Sequence, residues 1–296
     1  MNLIDVQQLS FAYFKDEAVL EDLDLAVEEG SIVGLIGRNG SGKTTLFRLL
    51  LGLYRAQSGQ IRVLGRDPFG QALEVKKRLG YVAENQILPE ALTLEEIVDL
   101  HEALFPTWNQ SLARSLERRL EIAKGKPLAR MSKGMQRRVA LLCALAHEPE
   151  LLLLDEPGGG LDLVARKDFL ELSVEYASES GGTILFSSHH LGDVGRISDR
   201  LLLLDRGRIR FAGSADQLRE DYSRVFFPKA GQRALDEMQD LPSCLRAFPR
   251  GEGVQAVFRG KPEEIQNLLA HRIAAGQALV ESVDLEGFFL DMVGRG

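Results

Sequence analysis

Apolar and polar residues alternate from Leu3 to Val27, and a period of two is the mark of half-buried strands. Gly30 closes a turn, and Ile32-Val33-Gly34-Leu35-Ile36 follows as an unbroken apolar run. Leu151-Leu152-Leu153-Leu154 and Gly182-Thr183-Ile184-Leu185-Phe186-Ser187-Ser188 have the same character. Short apolar runs bounded by turn signals predict strands buried on both faces, as in a parallel sheet. Gln60–Leu64, ending at Gly65-Arg66-Asp67-Pro68, and Leu79-Gly80-Tyr81-Val82 predict further strands. Leu201–Leu204 and Arg208–Phe211 flank Asp205-Arg206-Gly207 and predict a hairpin.

Between Leu92 and Leu120 the period becomes helical. Ile97, Leu100 and Leu104, then Leu112, Leu116 and Leu120, recur at helical steps, and Thr93 with Glu96 has the spacing of a capping box. Arg114, Arg118 and Arg119 read as a solvated face there, and Trp108 and the Phe residues as core or interface. A second helix, Met135 to Ala146, leads to Pro149. Strands alternating with helices imply an α/β fold. After about Asp221 the pattern resets to a strand at Ser223–Phe227, a helix at Lys229–Asp240, strands at Cys244–Phe248 and Val254–Phe258, a helix from Pro262 and a strand at Ala278–Val283. That is the ferredoxin-like order. A last helix spans Leu285 to Val293. The expected division is a main domain over 1–220, with a helical subdomain at about 85–135, and a small α+β domain over 221–296.

The loop after the run Ile32–Ile36 carries the first chemistry. Gly37-Arg38-Asn39-Gly40-Ser41-Gly42-Lys43-Thr44 satisfies the P-loop pattern G-x-x-x-x-G-K-[ST], between an apolar strand and the helical run Thr45–Leu51. Glycines let backbone N–H groups curl around phosphate oxygens, and the helix N-terminus adds a positive dipole. Lys43 is placed to neutralise the β- and γ-phosphates of ATP, and the Thr44 hydroxyl to ligate Mg²⁺. A P-loop also needs a carboxylate on a neighbouring strand. Leu151–Leu154 ends in Asp155-Glu156, where Asp155 can hold Mg²⁺ and Glu156 can polarise the attacking water.

Composition changes this picture little. The 296 residues carry 36 Lys+Arg against 43 Asp+Glu, a net charge of −7, which argues against nucleic acid as the main partner. The apolar runs are all shorter than the roughly 18 residues that a membrane-spanning helix needs, and Met1–Asp5 lacks the pattern of a secretory signal. Of two cysteines, Cys143 lies inside an apolar helical run and reads as a buried thiol. The pair has neither metal nor redox spacing, which fits a reducing compartment.

Just before the Asp-Glu strand stands Met131-Ser132-Lys133-Gly134-Met135-Gln136-Arg137-Arg138-Val139. It resembles the L-S-G-G-Q signature of ATP-binding cassette (ABC) ATPases, with Met131, Lys133 and Met135 departing from it and Ser132 and Gly134 kept. Further marks follow over residues 1 to about 220. Tyr13 resembles the aromatic residue that stacks on adenine, Glu84 stands where a glutamine is usual, and Gly160-Leu161-Asp162 resembles the D-loop, with Gly159 where Ser is usual. His189 resembles the switch histidine that contacts the γ-phosphate, with His190 its adjacent alternative. His101, His147 and His271 match no mark and read as ordinary.

The resemblance implies an ABC nucleotide-binding domain with an antiparallel β subdomain and a helical subdomain, binding and hydrolysing ATP with Mg²⁺. Lys43, Glu156 and His189 would be catalytic, and Thr44, Asp155 and Glu84 would face the metal. Gly37 to Thr45, Tyr13, Glu84, Ser132, Lys133, Gly134, Met135 and Asp162 would contact nucleotide. In this family two cassettes face head to tail, the signature of one covering ATP on the other's P-loop. The resemblance therefore implies a homodimer or a sister cassette, and a separate transmembrane permease that holds the chain on the cytoplasmic face of the cell membrane. The short helical stretch, Glu84, the Ser-Lys-Gly-Met signature and Val283–Leu290 resemble ABC-2-type exporter cassettes.

Overall fold

The computed structural model describes residues 1–14, 17–85, 87–228, 231–270 and 278–294. The chain separates into two compact units, Met1–Phe211 and Ala212–Gly296.

The first unit runs in chain order through β1 (Asn2–Ala12), β2 (Ala18–Glu28), β3 (Ile32–Ile36), α1 (Lys43–Leu50), β4 (Ser58–Val63), α2 (Ala72–Lys76), β5 (Leu79–Val82), α3 (Leu94–Leu104), α4 (Gln110–Arg119), α5 (Lys133–Leu145), β6 (Leu151–Leu154), α6 (Leu163–Ser180), β7 (Thr183–Ser188), α7 (Leu191–Ile197), β8 (Arg200–Asp205) and β9 (Arg208–Gly213). β2-β1-β4 form an antiparallel sheet, and the second sheet has the order β5-β6-β7-β3-β8-β9. From β5 to β8 the second sheet is parallel. β9 follows β8 through Arg206 (φ 48) and Gly207 (φ 75), two left-handed residues of the kind that tight hairpins need.

The periodicities explain the packing. The alternating side chains of β1 and β2 put Ile4, Val6, Leu9, Leu23 and Leu25 into one core. Phe47, Leu49 and Leu50 of α1 and Val33, Leu35, Leu153 and Leu185 of the parallel sheet complete it. Fully burying a side chain such as Phe47 stabilises the fold by about 1.5–3 kcal/mol. β6 and β7 are buried along their whole length, as their unbroken apolar runs require. Thr93 caps α3 in a full capping box: its hydroxyl accepts from Glu96 N–H, and its own N–H donates to the Glu96 carboxylate.

Other expectations need correction. Leu100 and Leu104 sit at helical spacing, yet they are 42% and 59% exposed. Only Leu94 and Ile97 of α3 are buried, so the apolar stripe outlasts the contact it makes. Phe14 and Phe69, read as core or interface, are exposed and so do not belong to the core. Cys143 is buried as expected, and burial pushes its thiol up to about 12. His147 is buried, with its ring nitrogens on the carbonyls of Cys143 and Leu79, an ordinary structural role. His271 lies outside the described residues.

The second unit contains α8 (Ala215–Asp221), β10 (Tyr222–Phe227), α9 (Gln232–Gln239), β11 (Cys244–Arg250), β12 (Gly253–Arg259), α10 (Pro262–Ala270), β13 (Leu279–Ser282) and α11 (Leu285–Val293). Its sheet, β11-β12-β10-β13, is antiparallel throughout. With β10 and β12 central, it is the ferredoxin-like arrangement. Val225, Phe227, Leu235, Met238, Ala256, Phe258, Ile265 and Leu269 form its core. α11 is anchored by buried Asp291, which accepts from Arg224 Nε (2.6 Å) and Gln255 Nε2. The units divide inside β9, upstream of the residue-220 boundary read from the sequence, because α8 packs on β10 and α11. Lys229 and Ala230, the expected start of α9, lie outside the described residues.

Candidate functional site

The P-loop spans the gap between β3 and α1. Gly42 is the N-cap of α1 with φ 108, and a Cβ there would lie 2.7 Å from Leu20 Cδ2, so both conformation and space require glycine. A glycine N-cap puts no side chain on the first amides of α1, which leaves them directed at an anion. Ser41 Oγ is buried in the loop and has no hydrogen-bond partner among the described residues. Lys43 is buried. Its Nζ donates to Gly37 O (2.8 Å) and Arg38 O (3.4 Å) and lies 3.2 Å from Glu156 Oε1. Arg38 and Asn39 are exposed at the loop tip. Tyr13, just beyond β1, is partly exposed, stands edge-on to Phe11 and Tyr54, and has its hydroxyl 3.1 Å from Thr45 Oγ1. Arg48 Nη1 donates to the same hydroxyl.

Strand order brings the acidic end to the loop. β7 lies between β3 and β6, so Ser187 at its end stands between the P-loop strand and Asp155. Ser187 Oγ donates to Asp155 Oδ1 (2.8 Å) and accepts from Glu156 N–H (2.8 Å). Burial raises the Asp155 pKa above the usual aspartate value, while hydrogen bonds from Ser187 and Thr44 pull it down. Asp155 in turn helps burial push the Tyr81 hydroxyl up to about 12. Glu156 has φ 46, a left-handed conformation that costs a residue with a Cβ about 1–2 kcal/mol. The strain turns its carboxylate inward: Oε1 faces Lys43, and Oε2 is 2.7 Å from His189 Nδ1. The His190 ring lies against His189, tilted by 39° with ring centroids 4.0 Å apart, and burial lowers its pKa, with help from His189 and Arg166.

The structure therefore joins Lys43, Thr44, Asp155, Glu156 and His189 into one network. The remaining candidates stand at helix starts and loops. Ser132 caps α5, its Oγ accepting from Met135 N–H (3.2 Å), with Lys133 exposed and Gly134 and Met135 half-buried. Asp162 caps α6, accepting from Ala165 N–H (2.9 Å). A Cβ on Gly134 would lie 3.2 Å from Leu161, so the signature and D-loop segments are neighbours within the chain. Glu84 follows β5 with an exposed side chain, and its carbonyl accepts from Arg137 Nη2.

Known proteins resemble this chain in sequence and fold. The family model described as "ABC transporter" matches residues 20–159. The ABC transporter ATP-binding protein YtrB of Bacillus subtilis is 34% identical over 75% of this chain and 76% of its own length. The chain belongs to the ATP-binding proteins of ABC transporters. The Nod factor export ATP-binding protein I of Sinorhizobium fredii is 35% identical, over 99% of this chain and 86% of that protein. A solved structure described as the ATP-binding subunit of an ABC transporter superposes with a TM-score of 0.66 at 31% identity, covering 73% of this chain and 92% of that one. As a member of this family the chain is an ATP-binding ATPase that serves a membrane partner, and no helix among its described residues is long and apolar enough to cross a membrane itself.

Two residues of this ABC ATPase escaped the motif reading. Ser187 was visible only as a polar end to an apolar strand. Arg137 stood inside the signature segment with no role given to it, at helical spacing from Leu141 and Ala144 on the buried side of α5.

Proposed function

We propose that this chain is the ATP-hydrolysing subunit of an exporter and works as a head-to-tail pair of cassettes on the cytoplasmic face of a transmembrane permease. The observation that carries the catalytic part is the Lys43–Glu156–His189 network at the mouth of the P-loop. Lys43 holds the β- and γ-phosphates of ATP together with the loop amides and α1's N-terminus. Glu156 takes the proton of the attacking water as general base. His189, bridging from β7, orients the Glu156 carboxylate and faces the γ-phosphate. Tyr13 stacks on adenine.

The donor set suits Mg²⁺. Thr44 hydroxyl and Asp155 carboxylate are hard oxygen ligands, and burial already disfavours charge on Asp155, which a cation would offset. The absence of any cage of three His, Cys, Asp or Glu among the described residues matches an ion held by few protein oxygens and by phosphate. Bound there, Mg²⁺ would supply charge neutralisation at the β- and γ-phosphates. Glu84 is the third candidate around it.

Pairing follows from the position of the signature. Ser132–Met135 opens α5, whose N-terminal amides suit a γ-phosphate presented by a second chain. Tyr13, Ser41, Lys43 and Thr44 serve one nucleotide, Ser132, Lys133, Gly134, Met135 and Asp162 the facing one. Export is supported by the relative named for Nod factor export.

The test is Glu156→Gln in the full chain with ATP and Mg²⁺. Hydrolysis is expected to fall by a factor of about 100 or more, while ATP-dependent dimers accumulate on size-exclusion chromatography. Hydrolysis near the wild-type rate removes Glu156 from the mechanism, and a strictly monomeric variant removes the paired arrangement.

A further inference from the structure

Arg137 lies in the first half of α5 and is buried, yet among the described residues no carboxylate stands within ion-pair distance of it. Its guanidinium serves main-chain carbonyls instead. Nη1 donates to Glu156 O (3.2 Å) and Pro157 O (2.5 Å), and Nη2 donates to Glu84 O. Burial lowers the Arg137 pKa, and the negative charges of Glu84 and Glu156 work against that loss. A buried cation is a poor way to stabilise a helix, since an apolar side chain of similar size does it without desolvation cost. Its contacts explain it better than its burial does. Two of them fall on the turn at Glu156, where φ is 46 and the backbone is strained.

That turn is held from three sides. Glu156 N–H donates to Ser187 Oγ, Gly159 N–H donates to Glu156 O at 3.0 Å, and Arg137 adds its fork to the same carbonyl and to the next one. A planar guanidinium can serve carbonyls of separate segments at once, which a lysine ammonium cannot match in geometry. Room for the fork comes from Gly159, where an added Cβ would sit 3.3 Å from Arg137 Nη2. This is the D-loop position at which serine is usual, so the departure from pattern and the buried arginine are in contact.

We propose that Arg137 is a positioning residue for ATP hydrolysis: it clamps the left-handed turn that aims Glu156 at the site and ties that turn to the Glu84 segment. The inference rests on Glu156 acting as general base. Arg137 acts through the Glu156 backbone, whose carbonyl it holds.

The experiment measures kcat, KM and ATP affinity for full-length R137M, R137K, G159A and the R137M/G159A double variant, with E156Q alongside and urea unfolding as a check on the fold. R137M is expected to lower kcat by about tenfold or more, since small misplacements of a catalytic group are costly, with KM and ATP affinity nearly unchanged. R137K is expected to fall between R137M and wild type. G159A is expected to lower kcat several-fold when Arg137 is present and to change nothing in R137M. Normal kcat in R137M beside an inactive E156Q overturns the inference and leaves the base assignment standing. An active E156Q overturns both. Equal losses of kcat and ATP affinity in R137M, or independent losses in the double variant, mean a general structural role and overturn the inference. If R137M does not fold, G159A decides: lowered kcat at unchanged ATP affinity supports the clamp, and unchanged kcat refutes it.

Discussion

Ser187→Ala replaces a residue that carries no motif role of its own, yet it strikes the centre of the site. Ser187 is fully buried, and its hydroxyl both accepts from Glu156 N–H and donates to Asp155 Oδ1, each at 2.8 Å. Alanine leaves a buried backbone N–H without a partner, at a cost of about 1–3 kcal/mol, and removes a hydrogen bond to a carboxylate, worth about 1.5–3 kcal/mol. These terms overlap, and alanine has no hydroxyl to desolvate, so the expected net loss is about 2–4 kcal/mol at neutral pH. The loss depends on pH in a definite direction. Once Asp155 is protonated the bond is neutral to neutral and worth about 0.5–1.5 kcal/mol, so the deficit shrinks as pH falls through the raised range of Asp155. The assay is urea unfolding followed by fluorescence of Trp108, the single tryptophan, which lies in the first unit and so reports on the unit that contains the site. A loss below about 0.5 kcal/mol at neutral pH, the size typical of surface substitutions, would refute the reasoning. A deficit that did not change with pH would refute the part assigned to Asp155.

Other outcomes follow from the same geometry. The folded-state pKa of Asp155 lies above its ordinary value, so this group favours folding below the usual aspartate range and the benefit is lost as pH rises through the raised value. Asp155→Asn is therefore expected to raise the urea midpoint at neutral pH, with the gain fading toward acid while ATP hydrolysis falls; a lowered midpoint at neutral pH contradicts this. Thr93→Ala removes the capping box of α3 and is expected to cost about 1 kcal/mol, visible as faster hydrogen exchange in the first turn of that helix; unchanged exchange would show the cap to be idle. Tyr13→Ala is expected to weaken ATP binding by about threefold to tenfold, the share of one aromatic stack, and unchanged affinity by calorimetry would leave Tyr13 as a partner of Phe11 and Tyr54 only.

Legibility in the sequence followed the range of the interactions. The P-loop and the capping box at Thr93 are built by residues within a turn of one another, so spacing alone exposes them. The buried runs of β6 and β7 were equally plain, because a strand covered on both faces has no polar position to show. The order of elements in the second unit was readable for the same local reason. What escaped were contacts set by which strand lies beside which. Ser187 reaches Asp155 and Glu156 only because β7 inserts between β3 and β6 in one register.

By itself, then, the sequence determined most of the strands, the phosphate loop and the identity of the acids, since each rests on the conformational preferences of neighbouring residues, while the helices α2, α6 and α7 went unread. Tertiary structure alone decided that Leu100, Leu104, Phe14 and Phe69 face outward, that Tyr13 hydroxyl meets Thr45, and that Arg137 and Ser187 grip the Glu156 turn from both sides. The physical reason is that burial and long-range hydrogen bonding are properties of the packed chain. A hydrophobic period says that a face can be buried, and only the neighbour that arrives, or fails to arrive, says whether it is.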